Sequence, residues 1–283
     1  MKSNQSSRSR PSRPSRLSRL SAPRPAAWAP VLSILFASLA VHAQSSDVEV
    51  RAAVQVQAGA LNRQSANIGN ATGIARNDTR VGRAAQIQLG ALNRQVANVG
   101  NASGAGRSSS AARSLTQVQA GALNSQSLNV GNASGNARAN VSVGSATQVQ
   151  AGALNQQRAS IGNASGNARA DVKVGSLTQV QVGALSSQQA DIGNARGSGS
   201  ARVAVGSMLQ VQGGALNRQT VKIGNVSGGS SRVGVGSIRQ LQGGFLNNAT
   251  IEIGNGGGSS VSVGGVTQAQ AGFMGNMTTR IGN

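Results

Sequence analysis

Six residues beyond position 43 carry a carboxylate: Asp47, Glu49, Asp78, Asp171, Asp191 and Glu252. Two carboxylates that converge on one bond can do general acid–base work. These six read as lying at different repeat positions, with no recurrent pair and no calcium-loop pattern. Nucleophilic dyads and the usual transition-metal sites need Cys or His. The chain has no Cys, and its single His is His42. The expectation is a protein with no catalytic residue, no metal and no cofactor, hence not an enzyme. Gly-rich stretches such as Gly254-Asn-Gly-Gly-Gly-Ser lack the Lys-Ser/Thr helix start of a phosphate loop.

The chemistry that does recur is that of side-chain amides. Gln-x-Gln-x-Gly-x-x-Asn starts at Gln55, with near copies starting at 86, 117, 148, 179, 210, 240 and 268. The spacing is 31 five times, then 30 and 28. An amide both donates and accepts. If each copy is one coil of a stack, equivalent residues lie about 4.7–4.8 Å apart, and Gln over Gln or Asn over Asn can bond directly. The first copy supplies Gln57, Gly59, Asn62, Gln64, Ile68 and Asn70 to such columns. The second supplies Gln88, Asn93, Gln95 and Asn101, the third Gln119, Asn124 and Gln126, and the fourth Gln150, Asn155 and Gln157.

Columns need strands to hold them. Each copy opens with an alternating run such as Val172-Lys-Val-Gly-Ser-Leu-Thr-Gln-Val-Gln181, which predicts a strand. A Gly-centred corner follows, as in Gly152-Ala-Leu-Asn155. A second strand returns, as in Asn62-Arg-Gln-Ser-Ala-Asn-Ile-Gly-Asn70, and a turn-forming link such as Asn163-Ala-Ser-Gly-Asn-Ala168 leads to the next copy. On the return strand one face keeps its chemistry (Asn62, Gln64, Ala66, Ile68), while Arg63, Ser65 and Asn67 vary between copies. That contrast predicts one packed face and one wet face. In the opening strand two faces are regular: Val172, Val174, Ser176, Thr178 and Val180 on one, Gly175, Leu177, Gln179 and Gln181 on the other. The sequence leaves open which of the two points inward.

The architecture expected is all-β: a β-solenoid, or cross-β stack, of eight strand–turn–strand repeats of about 31 residues after an N-terminal signal peptide. Residues 1–43 read as that signal. They hold all five prolines, seven of the 26 basic residues and the apolar run Val31-Leu-Ser-Ile-Leu-Phe-Ala-Ser-Leu-Ala-Val41, closing on small residues at Val41-His42-Ala43. Residues 44–54 read as a lead-in strand and 55–283 as the repeats. The last copy stops at Ile281-Gly282-Asn283, and no anchoring domain is expected after it. Beyond residue 43 there are 19 basic and 6 acidic residues, and the only aromatics are Phe245 and Phe273. Such a chain cannot build a core of bulky side chains. Its Gly/Ser/Asn content also suits a disordered linker, but a linker has no need of Ile/Val and Gln kept in columns.

The corner and return strand resemble the curlin family, the secreted subunits of bacterial functional amyloid. The corner reads Gln57-Ala-Gly-Ala-Leu-Asn62, Gln88-Leu-Gly-Ala-Leu-Asn93, Gln119-Ala-Gly-Ala-Leu-Asn124, Gln150-Ala-Gly-Ala-Leu-Asn155, Gln212-Gly-Gly-Ala-Leu-Asn217 and Gln242-Gly-Gly-Phe-Leu-Asn247. In two copies Ser186 and Gly275 replace the Asn. The repeats here are longer than curlin's, the return strand ends in Asn rather than Gln, and the chain is basic where curlins tend to be acidic. The resemblance implies export through an outer-membrane secretion pore, a nucleator subunit as partner, and self-association into fibres at the cell surface.

The sequence therefore leads to a secreted structural protein, a curli-like extracellular fibre subunit supporting adhesion and biofilm matrix. The alternative is a monomeric β-solenoid adhesin or binding module for an anionic surface polysaccharide. Its candidate anion-binding surface is Arg63, Arg94, Arg158 and Arg218 on the variable face. Specific nucleic-acid recognition is not expected, since stacking aromatics are missing.

Overall fold

The structure is a computed structural model that describes residues 45–282, Ala75 excepted. The expected signal peptide, residues 1–43, lies outside the described residues. From 45 onward the chain is all-β, and no helix occurs among the described residues.

The chain winds as a parallel β-solenoid of eight coils. A 13-stranded sheet carries the long and return strands, and a 4-stranded sheet carries part of the links. Coil 4 shows the pattern: a long strand Arg138–Ala151, a corner, a return strand Leu154–Ile161, and a short link strand Ala164–Gly166. The eight coils begin at 45, 76, 107, 138, 169, 200, 230 and 259. In coils 6 to 8 the long strand runs through the corner without a break, as Ser200–Ile223, Ser230–Ile253 and Ser259–Ile281.

Every strand pairs in parallel with its own copy. Gln148 pairs with Gln117 and Gln179, and Val141 with Ser110 and Val172. The offset is 31 residues up to coil 6, 30 into coil 7 and 28 into coil 8. The structure thus has the period of the sequence. Residues 45–54 are not a separate lead-in: Ser45–Ala58 is one strand, the long strand of coil 1, paired with Arg76–Leu89.

The long strand resolves the question of its two faces in a way that strict alternation misses. Val172 and Val174 are buried, Gly175 is exposed and Ser176 half-exposed, and Leu177, Gln179 and Gln181 are then buried. Two successive residues face outward at Gly175-Ser176, so the inward side changes parity there, at a kink that every coil shares. The ladder also skips Gly175 while pairing Val174 with Val143 and Ser176 with Ser145. One strand therefore lines two sides of the core, with Val on the first and Leu and Gln on the second.

The link, expected as a turn, contains a third ladder. Ala133–Gly135, Ala164–Gly166, Ala195–Arg196 and Val226–Ser227 pair in parallel, and bridges Ala71–Ala102 and Ala102–Ala133 extend the column. The alanines of this column are buried. Its sequence signal is the Ala or Val after each Gly-Asn, a small residue repeated in register among turn formers.

Two glycines per coil are required by geometry. Gly162 has φ +62°, and a Cβ there would stand 1.7 Å from Val172 Cγ2. Gly152 has φ +154°, and a Cβ there would stand 1.6 Å from the Gly121 carbonyl oxygen. The first lets the return strand turn against the next Val column, and the second lets successive corners stack. The core that results is part aliphatic and part amide. Ile161, Ile192, Ile223 and Ile253 are wholly buried, each stabilising by about 1.5–3 kcal/mol. Gln148, Gln150, Gln157, Gln179, Gln181 and Gln188 are just as buried.

Candidate functional site

Buried amides are costly unless bonded, and here they bond to their own copies. In the first column Gln86 Nε2 donates to Gln55 Oε1 at 2.8 Å, and the chain continues through Gln117, Gln148, Gln179, Gln210 and Gln240 to Gln268 at 2.6–2.8 Å. A second column runs from Gln57 to Gln242 at 2.7–3.1 Å. A third, on the return strand, runs from Gln64 to Gln219 at 3.0–3.2 Å. The spare N–H of many of these amides spans the corner. Gln150 Nε2 donates to Gln156 O at 3.2 Å and Gln157 Nε2 to Val180 O at 3.1 Å, tying the facing strands together.

The Asn columns work differently. Asn155 Nδ2 donates to Gly152 O at 3.2 Å and to Val182 O at 2.9 Å, so it pins its own corner to the next. Ser186 keeps only a bond to Gly183 O, at 3.4 Å. In the Asn70 column the backbone N–H of each Asn donates to the Oδ1 of the one before, at 2.9 Å from Asn101 through Asn255. Ile68 belongs to the Val99, Val130 and Ile161 column. The structure thus gathers the amide residues singled out from the sequence into continuous columns.

All three Gln columns share one donor sense: each Nε2 points toward the lower-numbered coil. Both ends of the stack are uncovered among the described residues. Val48 and Val50 in coil 1 and Val261, Val263 and Val266 in coil 8 face inward yet are half-exposed. The two ends are unlike in side chains, since coil 8 carries Gly275 and Met277 where coil 1 has Asn62 and Gln64.

The outer charges fall into order as well. Arg63 pairs with Arg94, but Ser125, Gln156 and Ser187 separate Arg94 from Arg218 in the same column. Arg158 stands in another column, between Ser127 and Gln189, and its Nη2 is 3.2 Å from Asp191 Oδ2. The four arginines expected to form one anion-binding surface are therefore not brought together. The expectation that the acids occupy unrelated positions is also corrected. The ladder places Asp47, Asp78 and Asp171 in one column, and Asp191 and Glu252 in another separated by Lys222. Asp47, Asp78 and Asp171 share a column because whole multiples of the 31-residue offset separate them, whereas Glu252 falls in the Asp191 column through the 30-residue offset that follows coil 6.

The Asp191 column is a stack of alternating charge. Lys222 Nζ is 3.3 Å from Glu252 Oε2, and Arg280 Nη1 is 3.8 Å from Glu252 Oε1. Burial pushes the Asp191 carboxyl above its ordinary value of 3.8, against the pull of Arg158 and Lys222 and the bonds from Arg158 and Gln189. This column forms one wall of an axial groove of about 1000 Å³ that also takes in the Asn70 column. Its charges are largely paired internally.

Two further columns stand out, one of them built from arginines that the sequence places on the links and that open the long strands instead. Arg76, Arg107, Arg138 and Arg169 open four consecutive long strands and pair with one another. Leu61, Leu92, Leu123, Leu154, Leu185, Leu216, Leu246 and Met274 form an apolar column on the corner, 37–77% exposed. Both were legible as a residue type kept at the repeat spacing. Beside the Leu column, Phe245 and Phe273 stack with centroids 5.2 Å apart. Among the described residues no three acids converge as a metal site would need. Compared with known proteins, the chain matches no family model, no curated protein and no solved structure.

Proposed function

We propose that the protein is a secreted, curli-like subunit of an extracellular amyloid fibre that supports adhesion and biofilm matrix. The observation that carries this reading is the in-register parallel stack with an uncovered edge at each end of the described residues. An unpaired strand edge is a template for another chain. The columns can also continue across a head-to-tail junction. Extending the register past coil 8 sets Gln268 against Gln55 of a second copy, Gln270 against Gln57, Val261 against Val48, Val263 against Val50 and Ile281 against Ile68. The donor sense of the Gln57 column fits this order, because among the described residues Gln57 Nε2 in coil 1 has no acceptor and Gln270 Oε1 in coil 8 has no donor. The curlin-like corner supports the same reading, and with it a nucleator and a secretion pore as partners.

The test is to purify the secreted chain and incubate it at micromolar concentration. Expected are amyloid-dye binding, unbranched fibres and a meridional reflection near 4.7–4.8 Å. A chain that stays a folded monomer over days, with no dye binding and seeding nothing, would sink the proposal.

A further inference from the structure

We infer that the column Arg76, Arg107, Arg138 and Arg169 is a track for a linear polyanion, a carboxylated polysaccharide lying along the stacking axis. This goes beyond the fibre reading and holds equally for a single chain.

The four guanidinium groups open the long strands of coils 2 to 5 and stack in register. All four are exposed. None has an ion pair or side-chain hydrogen bond among the described residues, whereas Arg158, Arg202, Lys222 and Arg280 each meet an acid. Like charges directly opposite one another on neighbouring strands are destabilising. The free protein carries that repulsion at each of the three contacts within the column, and a polyanion along it turns each contact favourable.

The same outer face adds to the field. Arg80 and Lys173 lie four residues along the strand, and Arg202 and Arg232 continue the track into coils 6 and 7 two residues along. Acids reach this face at the track's end rungs, as Asp78 and Asp171, and one coil below it, as Asp47 and Glu49, while the two middle rungs carry Ser109 and Asn140 in that position. Hydroxyl and amide groups beside a guanidinium suit a hydroxyl-rich polymer. The Arg63 and Arg94 face offers only two adjacent cations, and the Asp191 column is already neutralised from within.

Spacing selects the partner. The track presents one fork per rung, about 4.7–4.8 Å. A pyranose unit of an extended polysaccharide is close to one rung in length, so successive uronate carboxylates can each meet one guanidinium as a bidentate pair. Duplex DNA presents a phosphate about every 3.4 Å along each strand and cannot stay in step. Single strands are gripped through stacking aromatics, and the only aromatics described, Phe245 and Phe273, stand at the corners of coils 7 and 8.

The experiment titrates the soluble full chain with polygalacturonate, with its fully methyl-esterified form, and with duplex DNA. Two variants each lose four charges: Arg76→Gln/Arg107→Gln/Arg138→Gln/Arg169→Gln, and Arg63→Gln/Arg94→Gln/Arg158→Gln/Arg218→Gln. The first is expected to bind polygalacturonate about tenfold more weakly, the low end for four exposed ion pairs. The second should stay within about twofold, since it spares the track, and the esterified polymer should not bind. Equal losses in the two variants would show attraction by net charge alone and overturn the track. Undiminished binding of the esterified polymer, or tighter binding of duplex DNA, would overturn the assigned partner. If the first variant loses its β-sheet circular dichroism, the four Arg→Lys replacements keep the charge and remove the fork. They should weaken binding about threefold, and unchanged affinity would overturn the bidentate contact.

Discussion

Gln219 and Ala249 are register partners on adjacent coils, and the Oε1 of Gln219 finds no donor where the Ala stands. Five copies below, the same oxygen accepts an amide N–H from the next coil. The column stops because its seventh member is missing, leaving a buried acceptor that costs about 1–3 kcal/mol.

Ala249→Gln is therefore expected to stabilise the fold by about 1 kcal/mol, the lower part of that range after side-chain entropy is subtracted. The rise in urea midpoint at unchanged m-value measures it. A lower midpoint would mean that the seventh coil has closed over the space the other six give to Gln.

Removing an amide from mid-column should do the reverse, and more strongly. Gln150 donates to Gln119 Oε1 and Gln156 O and accepts from Gln181 Nε2. Gln150→Leu keeps the volume but strands groups on both neighbours, so a loss of about 2–5 kcal/mol is expected from two buried orphans. The matched replacement at Gln55, at the half-exposed edge, should cost under about 1 kcal/mol because water reaches the freed partner. Comparing the two by denaturant unfolding separates a ladder effect from a composition effect.

The return strand was the most legible element, because one of its faces keeps Asn, Gln, Ala and Ile/Val while the other drifts. Packing imposes that contrast directly, and it also marked the amide columns. The long strand was less legible. Its alternation continues unbroken in sequence through Gly175-Ser176, although the inward side changes there. Every coil turns outward at the same two positions, so the register between coils is unchanged while period-two reading carries the wrong face across the kink. The link strand was hidden by its composition, since Asn-Ala-Ser-Gly serves equally as a turn or as a narrow ladder when its copies stack. Outer charge columns within coils 1 to 6, such as Arg76, Arg107, Arg138 and Arg169, follow the plain 31-residue period, whereas the Asp191, Lys222, Glu252 and Arg280 stack emerges only when the 30- and 28-residue offsets are counted.

Gly162→Ala meets two obstacles, a left-handed φ and Val172 Cγ2. The backbone alone costs about 1–2 kcal/mol, and the clash adds to it, so a total near 3 kcal/mol is expected. Val172→Ala removes the obstructing methyls. In a double-mutant cycle the pair should show a favourable coupling of about 1 kcal/mol or more. Strict additivity would mean that only the φ matters.

An inward charge placed at the edge should separate folding from assembly. Val50 and Val263 point inward in the terminal coils, where water still reaches them, and Val174 occupies the same column mid-stack. Val50→Lys and Val263→Lys are expected to fold, because the ammonium stays solvated in the free chain. Each should block growth at its own end only, read as loss of seeding by capped fragments. Val174→Lys buries an unpaired charge and should prevent folding altogether. If the two edge variants polymerise at the wild-type rate, the head-to-tail junction is wrong even where fibres form.

The pH dependence should carry the mark of Asp191. Its carboxyl is raised above 3.8, so the folded chain binds that proton more tightly than the unfolded chain does. Stability from this group therefore falls as pH rises from 3.8 through the raised value, and acidification over that window restores it. Asp191→Asn removes the titration. The difference in unfolding free energy between wild type and variant should shift in favour of the wild type as pH drops toward 4, measured by urea midpoints in steps from pH 7. Arg158→Ala takes away a partner that holds the carboxylate ionised, and should move the transition to higher pH. Should the pairing with Arg158 and Lys222 outweigh burial instead, the wild type would gain on Asp191→Asn as pH rises, and that opposite slope would refute the assignment.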